Sequence, residues 1–169
     1  MKYTAAILTI SDKGSVGERE DKSGPALKTM LENLYDVKEM VIIPDEVDII
    51  SQTIKSMIDD KCIDLVVTTG GTGVARRDVT PEATRHVIER DLPGFAEVMR
   101  MESHKITPTA MVSRAICGTR NQSLIINLPG SPKAATECLG FVLSAIPHTL
   151  DKLQGDTRDC AILPDGKCT

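Results

Sequence analysis

The sequence feature that most constrains the fold is the short apolar run DLVVTT, from Asp64 to Thr69. The run is rich in β-branched residues and lacks polar alternation, which is typical of a strand covered on both faces. A second run, SLIINL from Ser123 to Leu128, has the same character. Strands of this kind occur in parallel sheets with helices packed on each side, so we expect an α/β fold.

Helical and extended patterns alternate along the rest of the chain. Further strands are predicted at Tyr3–Ile10 and Val37–Ile43, and helices at about 23–34, 48–60, 81–90, 95–103 and 133–153. This order predicts a single-domain, three-layer sandwich, in which helices cover both faces of a mostly parallel sheet. We expect the domain to span residues 1–156 and residues 157–169 to form a loosely attached tail.

Composition limits the partners that the chain can have. The formal net charge is −4, and the 169 residues include two Phe, two Tyr and no Trp. We therefore expect no nucleic-acid partner, because such proteins usually have a basic surface and aromatic residues that stack on bases. No apolar run approaches the roughly 20 residues that span a bilayer, so we expect no membrane partner and a cytoplasmic location. The five cysteines form no CxxC pair, which indicates neither a disulfide framework nor a zinc site.

The loop after DLVVTT is the strongest candidate for a functional site, because ligands of parallel sheets bind beyond the carboxyl ends of the strands. Its sequence is TTGGTGVARRDVTPEATR, from Thr68 to Arg85. Gly70, Gly71 and Gly73 allow the backbone to approach a ligand and to direct successive amides at it. The loop contains no GxxxxGK[ST] motif, and the GxGxxG pattern that begins at Gly71 fails at Arg76. It is therefore neither a P-loop nor a dinucleotide-binding fingerprint.

Basic residues and a helix start follow the glycines. Arg76 and Arg77 supply planar donors that match phosphate oxygens. Thr80 is a suitable N-cap and Pro81 a suitable first helical residue, so a helix N-terminus is predicted beside the arginines. These features together predict a phosphate site, and the alternative is a flexible glycine turn with two solvated arginines.

Two aspartates at this edge of the sheet could hold a metal ion. Asp78 follows the arginine pair, and Asp45 follows the second predicted strand. Mg²⁺ is commonly held by one or two carboxylates together with substrate phosphates, so the pair fits a metal–nucleotide site. Alternatively, Asp78 pairs with Arg76 or Arg77, and Asp45 caps the next helix.

Other polar groups leave the same edge. Ser11 and Asp12 follow the first strand and could contact a ribose or base, or simply cap a turn. Ser113, Arg114 and the Pro129–Pro132 turn offer further donors next to a helix start. The three histidines occupy helical patterns without a partner motif, so we interpret them as structural or solvated. No Ser/His/Asp or Cys/His arrangement is visible.

Six segments of the chain occur together in one protein family. In order, they are SDKGSVGEREDKSGPAL, IIPDE, TTGGTGVARRDVTPEATR, LPGFAEVMR, TPTAMVSR and INLPGSPKA. With this order and spacing, the sequence resembles molybdopterin adenylyltransferases of the MogA type and the G domains of plant and animal molybdenum-cofactor proteins. The resemblance extends to about Asp156, and PGSP departs slightly from the family's PGNP or PGQP, which leaves the role of Ser131 open.

The resemblance implies a homotrimer that uses Mg²⁺ to adenylylate molybdopterin with ATP and releases pyrophosphate. It also implies a possible partner in the molybdenum-insertion protein. Asp45 and Asp78 match the family's catalytic, metal-binding pair. The matching nucleotide-binding residues are Ser11, Asp12, Thr69, Gly70, Gly71, Thr72 and Gly73. The expected molybdopterin- and phosphate-binding residues are Arg76, Arg77, Ser113, Pro129, Gly130 and Ser131.

Two other functions remain open at the level of the sequence. The chain could be a molybdopterin carrier or scaffold without catalysis, since related proteins share the glycine loop. It could also act on other phosphate esters with the same scaffold. Intact Asp45 and Asp78 favour the adenylyltransferase over the carrier.

Overall fold

The computed structural model describes residues 2–157 of the chain. Apart from Thr157, the tail that the sequence predicts at residues 157–169 lies outside these residues. Strands β1 to β6 are Thr4–Ile10, Asp36–Ile43, Leu65–Thr69, Arg90–Asp91, Cys117–Arg120 and Ser123–Leu128. Helices α1 to α7 are Asp12–Ser15, Ser23–Leu31, Val47–Lys55, Thr80–Arg85, Pro93–His104, Pro132–Val142 and Ile146–Leu153.

The six strands form one sheet in the order β2-β1-β3-β6-β5-β4. β2, β1, β3 and β6 pair in parallel, while β5 runs antiparallel to β6 and β4 runs antiparallel to β5. The mostly parallel sheet is therefore confirmed. Because the four parallel strands share a direction, the loops after Ile10, Ile43, Thr69 and Leu128 all leave from one edge.

Both faces of the sheet are covered, which confirms the three-layer prediction. On one face, side chains of α2, α5, α6 and α7 pack against alternate strand residues such as Ile7 and Val67. On the other face, α3 and α4 pack against the intervening residues, such as Leu8 and Val66. Each parallel inner strand therefore buries both of its faces, which explains its unbroken apolar pattern.

Several predicted boundaries are wrong for identifiable reasons. The final helix is not continuous, because a 3₁₀ turn at Leu143–Ala145 separates α6 from α7. Pro147 lies in the first turn of α7, where its missing N–H is tolerated. The helix predicted to reach residue 90 ends at Arg85, because the Glu89 amide already pairs with the Thr119 carbonyl of the β5 strand.

The segment after α3 continues as a π-helical turn, Ser56–Asp60, and a 3₁₀ turn, Pro108–Val112, follows α5. None of the helices within residues 2–157 has the length and apolar character required to cross a membrane.

Candidate active site

A large cavity lies where the four loops leave the carboxyl ends of the parallel strands. Its volume is about 790 Å³. The predicted site residues that line it are Ser11, Asp45, Thr69, Gly70, Gly71, Asp78, Gly130 and Ser131. The structure thus brings together residues that are as much as 120 positions apart in the sequence.

Two glycines of the loop after β3 permit the close approach of this loop to its neighbours. Gly70 has a φ of 104°, and a Cβ atom there would overlap the carbonyl oxygen of Ile10. Gly71 has a φ of 64°, and a Cβ atom there would overlap Oγ1 of Thr80 and lie 3.0 Å from Oδ1 of Asp45. Both positions therefore need glycine for conformation and for space.

A buried chain of hydrogen bonds supports the loop from beneath. Thr80 Oγ1 donates to the Gly70 carbonyl at 2.8 Å, and the Thr80 amide donates to the Gly71 carbonyl at 3.1 Å. Thr84 Oγ1 donates to the Thr80 carbonyl at 2.8 Å, and Asn127 Nδ2 donates to Thr84 Oγ1 at 3.0 Å. Thr80 is the first residue of α4, so the N-cap prediction for it is wrong; its hydroxyl holds the loop instead.

Asp45 and Asp78 reach the cavity from different strand ends. Asp45 Oδ2 accepts a hydrogen bond from the Asp12 amide at 2.8 Å, and the Asp45 amide donates to Asp12 Oδ1 at 3.0 Å. Asp78 Oδ2 accepts from the Ala75 amide at 2.8 Å. Each carboxylate is oriented by one backbone amide, and each also lines the open cavity.

The electrostatics of this edge favour a cation. Burial raises the pKa of the Asp45 carboxyl, and the charges of Asp12 and Asp78 act in the same direction, against the Asp12 amide and Arg77. Within residues 2–157, no basic side chain forms an ion pair with Asp45 or Asp78. A divalent ion between the two carboxylates would offset this concentration of negative charge.

Neither predicted phosphate-binding arginine lines the cavity. Arg77 binds Asp12 in a bidentate ion pair, with Nε–Oδ2 and Nη2–Oδ1 distances of 3.0 and 2.8 Å. Its Nη2 also donates to Glu46 at 2.9 Å. The bidentate contact with Arg77 lowers the pKa of the Asp12 carboxyl. Arg76 is exposed to solvent.

The cations that do line the cavity come from the loop after β1. Arg19 and Lys22 border it. The same loop is anchored by Asp21, which accepts hydrogen bonds from Thr9 Oγ1 and from the amides at the start of α2. A run of charged residues such as this is usually a solvated surface, but its position directly after β1 is the signal that it reaches the functional edge.

A smaller cavity, of about 300 Å³, lies on the other side of the glycine loop. Four predicted site residues line it: Thr72, Gly73, Ser113 and Pro129. Its other walls come from α5, α6 and the 3₁₀ turn after α5, and they are mostly apolar, with Met99 and Val112 among them. Three predicted residues, Asp12, Arg76 and Arg77, line neither cavity.

Neighbouring residues of the Pro129–Pro132 turn line different cavities. Thr69 Oγ1 donates to the Pro129 carbonyl at 2.7 Å, and Ser23 Oγ donates to the Gly130 carbonyl at 2.7 Å. Ser131 is the N-cap of α6, and its hydroxyl accepts a hydrogen bond from the Ala134 amide. Pro129 lines the smaller cavity, whereas Gly130 and Ser131 line the larger one.

Comparison with known proteins identifies this architecture. A family described as "Probable molybdopterin binding domain" matches residues 6–148. The chain belongs to this family. The match spans the glycine loop, Asp45, Asp78 and the turn that separates the two cavities.

Several known proteins are similar to this chain over most of their own length. A protein of Helicobacter pylori named molybdopterin adenylyltransferase is 50% identical over 153 residues, which cover 89% of this chain and 87% of that protein. The protein of the same name from Escherichia coli is 46% identical, covering 88% of this chain and 84% of its own. A solved structure of the molybdopterin biosynthesis enzyme MoaB from Thermus has a TM-score of 0.86 and 43% identity, and covers 91% of this chain and 98% of its own.

Proposed function

We propose that this chain acts in molybdenum cofactor biosynthesis by transferring an adenylyl group from ATP to molybdopterin. One observation carries the proposal. A single glycine loop separates a large cavity that holds two carboxylates from a smaller, mainly apolar cavity that contains Ser113. A reaction that joins a nucleotide to a second organic substrate requires this kind of double site, and relatives at 44–50% identity carry the matching name.

The larger cavity is the proposed nucleotide site. Its volume and polar lining suit a nucleoside triphosphate. The amide of Gly71 and the side chains of Arg19 and Lys22 would balance the phosphate charge, whereas the amide of Gly70 already donates to the Leu128 carbonyl at 3.1 Å. Ser11 and Thr69 remain candidate nucleotide contacts at this edge, although both hydroxyls already bind the protein backbone.

The smaller cavity is the proposed pterin site. Its apolar walls suit the flat ring system, and Ser113 supplies a hydroxyl group. Pro129 lines this cavity and Gly130 lines the larger one, so the two proposed substrate sites are adjacent at this turn. Arg76 and Arg77 lie outside both cavities, and contact with a substrate would require Arg77 to leave Asp12 and Glu46.

The reaction requires little from protein nucleophiles or bases. A terminal phosphate oxygen of molybdopterin, already an anion at neutral pH, forms a bond to the α-phosphorus of ATP. The bond between that phosphorus and the bridging oxygen of the β-phosphate breaks, and pyrophosphate leaves with the electron pair. Alignment of two polyanions and neutralisation of their charge are therefore the main tasks of the site.

Mg²⁺ fits the side chains that are present. Asp45 and Asp78 share the cavity without a basic partner among the described residues, and one or two carboxylates plus phosphates are the usual ligands of this ion. When bound, the ion supplies Lewis-acid stabilisation of phosphoryl oxygens. Within residues 2–157, no group of three or more His, Cys, Asp or Glu side chains is arranged to hold a metal ion. The proposed ion would therefore also need phosphate oxygens of the nucleotide as ligands.

Incubation of the protein with molybdopterin, ATP and Mg²⁺ tests the proposal directly. We expect adenylylated molybdopterin and pyrophosphate in equal amounts. Tight binding of the pterin without either product would instead identify a carrier or scaffold. Turnover of other phosphate acceptors, but not of molybdopterin, would identify a different enzyme on the same scaffold.

We also propose that the chain assembles as a homotrimer, with the molybdenum-insertion protein as a possible further partner. Support comes from large apolar side chains that remain exposed along one stretch, Val98–Val112, where Met101 is 63% exposed and Met111 is 69% exposed. Contiguous apolar surface of this kind often marks an interface. Light scattering gives the mass in solution, and a mass of one chain would refute the trimer.

A further inference from the structure

Arg114 binds the backbone of the glycine loop at three points. This residue precedes β5 and follows the 3₁₀ turn Pro108–Val112. Its amide donates to the Thr72 carbonyl at 2.8 Å, its Nε donates to the Gly73 carbonyl at 2.6 Å, and its Nη2 donates to the Asp78 carbonyl at 2.6 Å. One residue thus holds both ends of the segment that runs from the glycines to Asp78.

The third nitrogen of the Arg114 guanidinium, Nη1, also binds within the protein. Its guanidinium forms an ion pair with Glu82 of α4, and this contact lowers the pKa of the Glu82 carboxyl. Arg114 lines neither cavity. Its geometry is therefore that of a residue that fixes the protein backbone, since each nitrogen of the guanidinium binds a protein group.

The position of Arg114 links the two cavities. Its neighbour Ser113 lines the smaller cavity, and the carbonyl that it holds belongs to Asp78, whose carboxylate lines the larger one. We propose that Arg114 is a positioning residue that couples occupation of the smaller cavity to the placement of the Asp78 carboxylate in the larger cavity. The identity of the two ligands rests on the function proposed above.

Arginine is the side chain that this role requires. Its planar fork presents several N–H groups in fixed directions, so it can bind two carbonyls and a carboxylate at once. Lysine offers the same charge as a compact ammonium group and cannot reproduce this geometry. A ligand that orders the segment around Ser113 would therefore also order the loop, and couplings of this kind typically change affinity by about 5- to 150-fold.

The test uses Arg114→Ala and Arg114→Lys, with Arg120→Ala as the matched control. Arg120 also binds a carboxylate, Asp59, and a backbone carbonyl, that of Val87, but it does so at the opposite end of β5. Amide hydrogen exchange measured by mass spectrometry reports on the loop without any assay of activity. We expect faster exchange in residues 70–78 for both Arg114 variants and unchanged exchange there for Arg120→Ala.

Binding and turnover form the second arm of the experiment. The affinity for a non-hydrolysable ATP analogue is measured with and without molybdopterin. We expect wild-type protein and Arg120→Ala to bind the analogue more tightly when molybdopterin is present, and both Arg114 variants to lose this difference. We also expect kcat to fall about 100-fold, the size of loss that a displacement of a reacting group by about 1 Å can cause. At saturating molybdopterin, KM for ATP should rise in the Arg114 variants by the factor that the lost coupling represents.

Two results would overturn the inference. One is unchanged exchange in residues 70–78 when Arg114 is replaced. The other is an Arg114 variant whose coupling and kcat match those of Arg120→Ala. Arg114→Lys serves if the alanine variant does not fold, because it keeps the charge opposite Glu82. Failure of the wild-type protein to form any product would count against the proposed function, and hydrogen exchange would still decide whether Arg114 fixes the loop.

Discussion

Acidic side chains at the two ends of the parallel sheet differ in the partners that the protein gives them. At the amino end, Asp59 is bound by Arg120 and by the side-chain amide of Asn121. Asp64 accepts hydrogen bonds from the amide and hydroxyl of Thr4. At the carboxyl end, Asp45 and Asp78 accept one backbone amide each and face an open cavity.

The pKa values of the carboxyl groups shift in opposite directions at the two ends of the sheet. The Arg120 contact lowers the pKa of Asp59, so the fold stabilises the charged carboxylate there. Burial raises the pKa of Asp45, so the fold opposes the charge that a metal site requires. Internal pairing at one end contributes to stability, whereas the other end keeps its charge available for a ligand at some cost in stability.

The largest expected effect comes from removing a carboxylate at the carboxyl end. Asp78→Asn should lower the rate of adenylyl transfer about 100-fold or more, because it removes a proposed ligand of Mg²⁺ and with it much of the charge stabilisation. Steady-state kinetics with ATP and molybdopterin provide the measurement. Asp59→Asn is the control at the amino end and should keep the rate within about twofold. Equal rates for the two variants would contradict the proposed role of Asp78 as a ligand of Mg²⁺.

Replacing a carboxylate by an amide should change stability in opposite directions at the two ends of the sheet. The folded state disfavours the Asp45 carboxylate, so wild-type protein loses stability as the pH rises through the raised pKa of Asp45. Asp45→Asn should therefore raise Tm at pH 7. The gain should shrink as the pH falls through the raised pKa of Asp45 and should vanish below the ordinary pKa of aspartate. We expect a shift of about 1 to 3 °C in thermal unfolding, since 1 kcal/mol corresponds to roughly 2 to 4 °C for a chain of this size.

Asp59→Asn supplies the other half of this test. The folded state favours the Asp59 carboxylate, so its contribution is present above the ordinary pKa of aspartate and is lost as the pH falls through the lowered folded value. The variant should melt about 1 to 3 °C lower at pH 7 and should match wild-type protein in acid. A fall in Tm for both variants at pH 7 would show that Asp45 is structural like Asp59.

The smallest effect on catalysis is expected from the cationic loop after β1. Arg19→Gln should raise KM for ATP about 3- to 10-fold and leave kcat nearly unchanged, because Arg19 is exposed at the rim of the larger cavity and would contact phosphates in both ground and transition states. Arg76→Gln is the matched control, since Arg76 is exposed and lines neither cavity. A larger effect at Arg76 would restore the role that the sequence predicted for it.

The sequence predicted the inner strands and the functional edge, because their signals are local. β-Branched runs mark β3 and β6, and the polar, glycine-containing loops follow them directly. β4 and β5 were not predicted, because they have only two and four residues. β4 is defined by pairing with β5, which lies far from it in the sequence, and β5 pairs with Ser123–Leu128 across a short turn.

Side-chain partners at the site were harder to predict. The sequence could not distinguish whether Arg77 turns towards a ligand or towards Asp12, which lies 65 positions away. It also gave no sign of the smaller cavity, whose walls come from α5, α6 and the turn between α5 and β5. Arg114 was noted only as a further donor, because its three carbonyl partners are brought to it by the fold.

A crystal structure with Mn²⁺ and a non-hydrolysable ATP analogue tests the central claim most directly. Anomalous scattering locates the metal without assumptions about its ligands. The metal should lie in the larger cavity, coordinated by a carboxylate oxygen of Asp45 or Asp78 and by phosphate oxygens of the nucleotide. Phosphates bound in the smaller cavity, or a metal beyond coordinating distance of both aspartates, would contradict the account.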